Sequence, residues 1–419
     1  MEISQKTIQT SPISCSILAI ALLSGAAIAQ DVINLPSLGG AGTIANDIND
    51  SGVVVGQSTL PGGLGVVACR WDSMHSPTSL GALGSSMISE ALAINSNGEI
   101  VGYSEDASTL RAATLWDGQG GMINVHTAIG STSSSIPWDI NDNGVIVGQA
   151  SINPGFSKGF IWDQVNPVQI AGTLPGFMGG ANRGINNDSH IVGSSFFFGD
   201  PDDATLAVPD DRGGYEYPAI APVGFHFSNA TAINNNSVMV GHTSYESTTS
   251  SWNAVIYTGD DRDPVQVLGT IAGLNTSESL DVNDSGMVVG YAWDGTGSGF
   301  DPRAWAWVDG EMYDLNDMLD DESDFEMLSR ATGVNNNGDI VGFGRLLDGS
   351  TGAFLIEGFV PPAECLADFT DDGVLNFFDV SVFLGAFTNQ DSIADFTGDG
   401  VFNFFDVSAF LNAFSAGCP

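Results

Sequence analysis

Basic side chains are almost missing from this sequence. Ten lysines and arginines stand against fifty aspartates and glutamates, a formal net charge of −40, and the only lysines are Lys6 and Lys158. A surface this acidic repels phosphate backbones and anionic lipid, which argues against nucleic acid and membrane surfaces as partners. It attracts divalent cations and keeps an extracellular chain soluble. Long apolar runs are missing too, with one exception at the start. Ile13 to Ile28 follows a short polar stretch holding Lys6 and leads into Ala27-Ile28-Ala29, the small-x-small pattern of a signal peptidase site. Residues 1–29 therefore read as a signal peptide, and the mature chain from Gln30 as secreted, without membrane insertion. Cysteine is scarce. Cys15 leaves with the signal, and Cys69, Cys365 and Cys418 remain. In an oxidising compartment Cys365 and Cys418, which bracket the C-terminal segment, are natural disulfide partners, and Cys69 reads as a buried, inert thiol inside a strand. Catalytic motifs are also lacking. His75, His126, His190, His226 and His242 show no H-E-x-x-H spacing, and there is neither a G-x-S-x-G elbow nor a phosphate-cradling glycine loop. No catalytic constellation is recognised.

What the sequence does have is an internal repeat, x-x-[IV]-N-x-x-G-x-[IVM]-V-G. Its seven copies begin at Asn46, Leu92, Trp138, Arg183, Thr231, Leu280 and Thr332. The shared asparagines are Asn49, Asn95, Asn141, Asn186, Asn234, Asn283 and Asn335. Their spacing of about fifty residues marks a solenoid, a propeller or an array. An apolar residue ends one strand, Asn opens a type I turn, and Gly takes the left-handed conformation that returns the chain into a β-branched partner strand. Ser189 and Ser237 replace that glycine in two copies. The substitution costs roughly 1 kcal/mol each and predicts looser turns in units four and five.

Each unit holds two further strands. One pairs a small residue with an aromatic three places on: Ala68 with Trp71, Ala113 with Trp116, Gly159 with Trp162, Ala254 with Tyr257 and Ala304 with Trp307. These rings are expected to fill gaps between units. The other strand ends in a Leu-Gly pattern, as at Leu80-Gly81, Leu268-Gly269 and, with Asn, Leu315-Asn316. Four strands in about 45 residues make a blade, so 30–360 reads as an all-β, seven-bladed propeller. The array starts with a lone Leu-Gly strand, Val32 to Gly40, and ends with Ala353-Phe354-Leu355-Ile356, which lacks one. The first strand is expected to complete the last blade and close the ring.

On the Asn-x-x-Gly hairpin and the Leu-Gly strand, 31–360 resembles the HAF extracellular repeat. Of that family's naming His-Ala-Phe motif no copy keeps His before Ala, and Phe stands only at Phe160 and Phe354. The resemblance implies an extracellular location and names no activity.

Composition changes after Phe359. Residues 361–364, opening with Pro361-Pro362, read as a linker, and 365–419 as a small α-helical module of two near-identical segments starting at Ala367 and Ala394. Each carries a twelve-residue calcium loop. In the first, Asp368, Thr370 and Asp372 take positions one, three and five, Gly373 makes the turn, Val374 offers its carbonyl, Asn376 stands at nine and Asp379 closes the loop. In the second these places fall to Asp395, Thr397, Asp399, Gly400, Val401, Asn403 and Asp406. Calcium takes six to eight oxygens, and this spacing wraps them around one point, so two calcium ions are expected. Apolar residues then recur with helical period, at Val380, Phe383, Leu384 and Phe387 and at Val407, Phe410, Leu411 and Phe414.

These segments resemble dockerin repeats, in particular variants ending in Gly-Cys, as Gly417-Cys418 does here. The resemblance implies binding to a cohesin-like domain on a scaffold or cell surface. Loop positions ten and eleven, where dockerins select their partner, are Phe377-Phe378 and Phe404-Phe405. They read either as core or as an apolar recognition patch.

Two acidic stretches, Asp200–Asp211 and Asp314–Glu326, read as solvated loops, with a glycosidase pair or a further calcium site as the alternative. Two functional expectations follow. In one, the propeller is a non-catalytic binding or display module for a glycan or protein, carried by the docking tail. In the other it is a polysaccharide-active hydrolase or lyase on the same tail. Acids from several blades on one mouth of the ring would mark the enzyme, and aromatics there the binder.

Overall fold

The computed structural model describes residues 30–417 except 106–110, 153–155, 171–173, 175–176, 197–201, 219, 221–226, 245–251, 258–264, 297–299, 362–364 and 371–373. The chain divides into a compact unit over 30–361 and another that holds 362–419. The expected signal peptide lies outside the described residues.

Seven four-stranded antiparallel sheets build the first unit, a seven-bladed β-propeller. Their first strands are Thr43–Ile48, Ser89–Ile94, Ser135–Ile140, Gly179–Ile185, Phe227–Ile233, Thr276–Val282 and Phe325–Val334. Six sheets use four consecutive strands. The seventh takes its outer strand from the start of the chain: Val32–Leu35 pairs with Thr351–Ile356, Val32 opposite Ile356 and Leu35 opposite Ala353. That strand stops at Leu35, and Glu311–Asp314 stops before Leu315, which opens a 3-10 turn. The Leu-Gly places Leu38-Gly39 and Leu315-Asn316 therefore lie beyond their strands, not inside them.

The repeat's invariant residues have separate physical jobs. Every first strand bulges at the residue that begins the motif, as between Ala45 and Asp47 or Asn182 and Gly184. The bulge drives the inner strand's backbone against the last glycine of the motif. A Cβ on Gly56 would meet the Ile44 carbonyl, and one on Gly241 the Asn229 carbonyl. No side chain fits there. Each motif asparagine is buried and serves two blades at once. Asn141 Oδ1 accepts from the amides of Asn143 (3.1 Å) and Val145 (2.9 Å), which forms the turn. The Nδ2 groups then link the hairpins: Asn49 donates to the Asn95 carbonyl, Asn95 to Asn141, Asn141 to Asn186, Asn186 to Asn234, Asn234 to Asn283 and Asn283 to Asn335, all within 2.8–3.1 Å. Asn335 donates back to Asn49 at 3.1 Å.

The apolar core lies between blades. Val55 and Ala68 of blade one share a cluster with Ala91, Ile94, Ile100 and Trp116 of blade two. Trp71, Trp116 and Tyr257 are buried as interblade fillers. Trp162 and Trp307 are half-buried, and in blade six the enclosed ring is Trp305. Cys69 is buried and free, and burial pushes its thiol up to about 12, which leaves it unreactive at neutral pH.

Ser189 and Ser237 adopt φ of 61° and 62°. Their turn hydrogen bonds measure 3.0 Å, within the 2.9–3.1 Å of the glycine turns, so the backbone bond that closes the turn is kept in both units. The asparagine clamp is complete in unit five, where Asn234 Oδ1 accepts from the amides of Asn236 (3.0 Å) and Val238 (2.8 Å), and short of one bond in unit four, where Asn186 Oδ1 accepts from His190 alone (2.9 Å) among the described residues. Ser189→Gly and Ser237→Gly should each raise the unfolding free energy by about 0.5–1 kcal/mol, the relief of the left-handed conformation less the entropy glycine adds to the unfolded chain. Urea midpoints would measure it; no gain would mean that the His190 Nδ1 contact to Ser237 Oγ (3.2 Å) and the clamp already offset the strain.

In the second unit, helices Phe377–Asn389 and Phe404–Ala416 follow the two loops. Asn376 and Asn403 cap them, and Asp379 and Asp406 complete each capping box. Phe383 and Phe410 stack at 3.9 Å in the centre, ringed by Phe369 and Phe396. Leu384 and Leu411, which belong to the apolar sets of helical period, are 49% and 48% exposed. Among the described residues each helix has one helical neighbour in this unit, which covers a narrow stripe. Among the described residues no helix is long and apolar enough to cross a membrane.

Candidate functional site

The hydrogen-bonded asparagine turns gather all seven first-to-second-strand hairpins at one mouth of the central channel. In antiparallel four-stranded blades, the second-to-third-strand loops and the blade-to-blade connections must then lie at the opposite mouth. The hairpin mouth is uniform and short-looped. The other carries the loops that differ between blades, and variable loops on a rigid frame are the usual place for binding groups.

The register of the inner strand pairs sets what reaches that second mouth. The residue just after the invariant glycine is Gln57, Tyr103, Gln149, Ser194, His242, Tyr291 or Phe343. It stands opposite Ile44, Glu90, Ile136, Ala181, Asn229, Glu278 or Arg330 respectively. Blades five, six and seven thus place aromatic and charged groups side by side. Phe227, His242 and Trp252 stack nearly parallel, with His242–Trp252 at 4.9 Å and Phe227–His242 at 5.5 Å. Trp293 meets Trp252 edge-on at 5.9 Å and stacks on Tyr291 at 5.1 Å. Phe300, 57% exposed, closes on Trp293 at 5.6 Å. The Arg330 guanidinium lies 4.2 Å over the Tyr291 ring, and Arg183, at the bulge of blade four, lies 4.2 Å over Trp138.

Glu278 sits within this group. Burial raises its carboxyl pKa, while the Tyr291 hydroxyl, Arg330 and Arg183 act the other way. Burial drops His242 to about 3, so this imidazole is neutral at physiological pH. Its Nδ1 is 3.9 Å from Glu278 Oε2 and makes no hydrogen bond. Arg183 Nε, Asn229 Oδ1 and Trp252 Nε1 are also buried without a partner. A second, smaller group joins Glu90 to the Tyr103 hydroxyl (2.6 Å) and Asn46 (3.0 Å), with Arg111 over the Tyr103 ring.

The acidic stretches assigned to loops are only partly loops. Asp203–Pro209 is the third strand of blade four, and Asp314 ends a strand before the 3-10 turn Leu315–Met318. Asp314 is ion-paired with Arg303 at 2.7 Å, and Glu326 with Arg345 at 2.8 Å. Asp317 Oδ1 stands 4.0 Å from the same Arg303 nitrogen, and burial and then the Asp314 charge raise its pKa, so these two carboxylates share one guanidinium; Asp200 lies outside the described residues.

In the tail, Thr370 Oγ1 is 2.8 Å from Asp379 Oδ1 and 3.3 Å from Asp368 Oδ1. Thr397 Oγ1 stands likewise 2.8 Å from Asp406 and 3.5 Å from Asp395. Each loop so brings its first, third and twelfth positions together. Asp395 also accepts from the Gly400 amide at 2.7 Å, and Gly400 has φ of 75°. Asn376 and Asn403 direct Nδ2 to the carbonyls of Val374 and Val401. Asp399 Oδ1 takes the Val401 amide at 2.8 Å. Asp372 and Cys418 lie outside the described residues. Among the described residues no three acidic, histidine or cysteine side chains gather as a metal cluster. Phe377, Phe378, Phe404 and Phe405 are 76%, 67%, 76% and 69% exposed, which overturns the core alternative for them. They occupy the first turn of each helix, on the side away from the Phe383–Phe410 stack.

Among solved structures the chain is similar to virginiamycin B lyase from Staphylococcus aureus, at 12% identity and TM-score 0.44 over 78% of this chain and 98% of that one. It is similar to Aleuria aurantia lectin in complex with Fucα1-6GlcNAc, at 11% identity and TM-score 0.34 over 78% and 100%. With TolB from Acinetobacter baumannii the values are 15% and 0.39 over 65% and 63%, so the chain spans under two thirds of that protein. At these identities the likeness is one of fold. No protein-family model and no curated protein sequence matches.

None of the mouth residues was singled out from the sequence as a site. The signal available was the place after the invariant glycine, which varies while its neighbours repeat. A second variable place, three residues before the motif asparagine, holds Trp138 and Arg183. One place further on, blades one, three and six hold Asp47, Asp139 and Asp281. Each accepts from its own strand and from the next blade, as Asp139 does from the amides of Ile140 (2.7 Å) and Ile185 (2.8 Å). Burial raises all three, Asp139 to about 6, and Asp47 is raised further by Asp281. Between roughly pH 4 and 6 the native state then holds a proton that the unfolded chain has released, so this contribution to stability falls as pH rises. Moving from pH 7.5 to 5 should therefore stabilise the wild type relative to Asp139→Ala by about 1.4 kcal/mol. Parallel urea midpoints of the two at both pH values would show it; parallel shifts would refute the assignment.

Proposed function

We propose that this is a secreted, non-catalytic binding protein whose propeller takes a glycan on its loop-bearing mouth. The single observation behind this reading is the contiguous set of rings from blades five and six, Phe227, His242, Trp252, Trp293, Tyr291 and Phe300. His242 and Tyr291 are buried, and the half-buried Phe227, Trp252 and Trp293 with the exposed Phe300 present the aromatic surface, which beside hydrogen-bonding groups suits the apolar face and hydroxyl rim of a sugar ring. The enzyme alternative asks for a carboxylate pair facing the substrate. Here Glu278 and Glu90 are each tied to a tyrosine.

The tail, in the same proposal, is a calcium-dependent, dockerin-like module that fixes the protein to a cohesin-like scaffold or the cell surface. Asp368, Thr370, Asp372, Val374, Asn376 and Asp379, with Asp395, Thr397, Asp399, Val401, Asn403 and Asp406, would hold two calcium ions; the all-oxygen donor set and the aspartates meeting at Thr370 and Thr397 support this. A Cys365–Cys418 disulfide would tie the ends of the module. The exposed phenylalanines at 377, 378, 404 and 405 supply its apolar contact surface.

A glycan array probed with the mature chain in calcium tests the propeller. Binding that Trp252→Ala and Trp293→Ala abolish is expected. Binding unaffected by both, or none to any glycan, would overturn the reading.

A further inference from the structure

Arginine is rare in this chain, and its placement is uneven. Arg303, Arg345 and Arg212 are each ion-paired with a carboxylate. Arg183 and Arg330 have no ion pair among the described residues, although acidic side chains outnumber basic ones fivefold. Glu278 faces both, and Asp202 faces Arg183, only at longer range. Each guanidinium instead lies flat on an aromatic ring, 4.2 Å above Trp138 or Tyr291. Stacking occupies the face of a guanidinium and leaves its edge N–H groups directed outward, in the fork that matches a carboxylate or sulfate. Arg183 Nε is buried and unbonded, as are Asn229 Oδ1 and His242 Nδ1 nearby. A buried polar group left unpaired is costly, so the Arg183 Nε donor calls for an acceptor, while Asn229 Oδ1 calls for a donor such as a sugar hydroxyl. The ring set carried by Trp252 and Trp293 continues from Tyr291, the ring under Arg330.

Building on the reading of this mouth as a glycan site, we propose that its ligand is an acidic sugar. The anionic group, a uronate carboxylate or a sulfate, is taken by the edges of Arg183 and Arg330, while the sugar ring lies on Trp252 and Trp293. Stacked, enclosed arginines can hold an anion despite the protein's net charge, because that charge is spread over the surface and screened by salt.

The test titrates the full mature chain in calcium with oligogalacturonate and oligoglucuronate, their neutral methyl esters, a sulfated oligosaccharide and a neutral hexose oligomer, by calorimetry. The free acid or the sulfate should bind roughly tenfold to a hundredfold more tightly than the uncharged probes. Whichever of the two binds more tightly identifies the anion. Arg183→Gln and Arg330→Gln should each remove that preference and leave the weak ester binding in place. Arg330→Lys should restore it only in part, since an ammonium lacks the fork. If Arg183→Gln does not fold, the acid-to-ester ratio of the wild type and the Arg330 variants still decide. Equal binding of acid and ester, or a preference that survives both Gln variants, overturns the acidic-sugar assignment and leaves glycan binding standing. Absence of binding to every probe overturns both.

Discussion

Asn141→Ala should cost the propeller about 3–5 kcal/mol, among the largest effects of any single hydrogen-bonding side chain outside the apolar core. The side chain is 4% exposed and makes three hydrogen bonds, to the amides of Asn143 and Val145 and to the Asn186 carbonyl of the next blade. Alanine leaves all three backbone groups without their partner and opens a gap in the seven-membered ring. Asn141→Asp separates the two roles. It keeps the acceptor but loses the donor, and sets a negative charge against the Asn186 carbonyl. It should be as damaging as alanine at neutral pH and partly recover in acid, when the protonated carboxyl can donate again. All eight tryptophans lie in the propeller sequence, so tryptophan fluorescence in urea reports this unit alone. A loss near 1 kcal/mol for alanine would mean that the ring does not hold the blades.

Calcium removal should unfold the tail and leave the propeller intact. Residues 365–419 contain no tryptophan or tyrosine, and their core is little more than the Phe383–Phe410 stack and its ring of aromatics. A unit this small is marginal without a staple. Each proposed site contributes about 2.7 kcal/mol at a hundredfold excess of calcium over its dissociation constant. A disulfide between Cys365 and Cys418 would add at most about 4 kcal/mol by the chain-entropy estimate. A chelator should therefore abolish helical circular dichroism, open the tail to protease, and leave tryptophan fluorescence unchanged. Equal protease resistance with and without calcium would remove the metal proposal. Asp379→Ala and Asp406→Ala should each weaken the response; because these aspartates also cap their helices, calcium titration of the helical signal must accompany the protease assay.

Much of the architecture was legible because its causes are local. The Asn-x-x-Gly hairpin, the β-branched strand and the crowded glycine each follow from backbone sterics within a dozen residues. Repetition turns one hairpin into seven. The tail helices were legible for the same reason, since the apolar period that marks each one is carried within the helix itself. The mouth was not legible. His242, Tyr291 and Arg330 stand 49 and 39 residues apart in successive blades, and only docking of one blade on the next brings Arg330 onto Tyr291 and Trp252 onto Trp293.

By itself the sequence determined the blade, its count and the turn chemistry, because each depends on neighbours along the chain. Tertiary structure alone decided that Glu278 would be enclosed, that Arg183 and Arg330 would rest on rings instead of pairing with abundant carboxylates, and that Phe377 and Phe404 would face outward while Phe383 and Phe410 stack. The physical reason is that burial, and with it ionisation and exposed edge, is a property of what packs around a residue and not of the residue's place in a repeat.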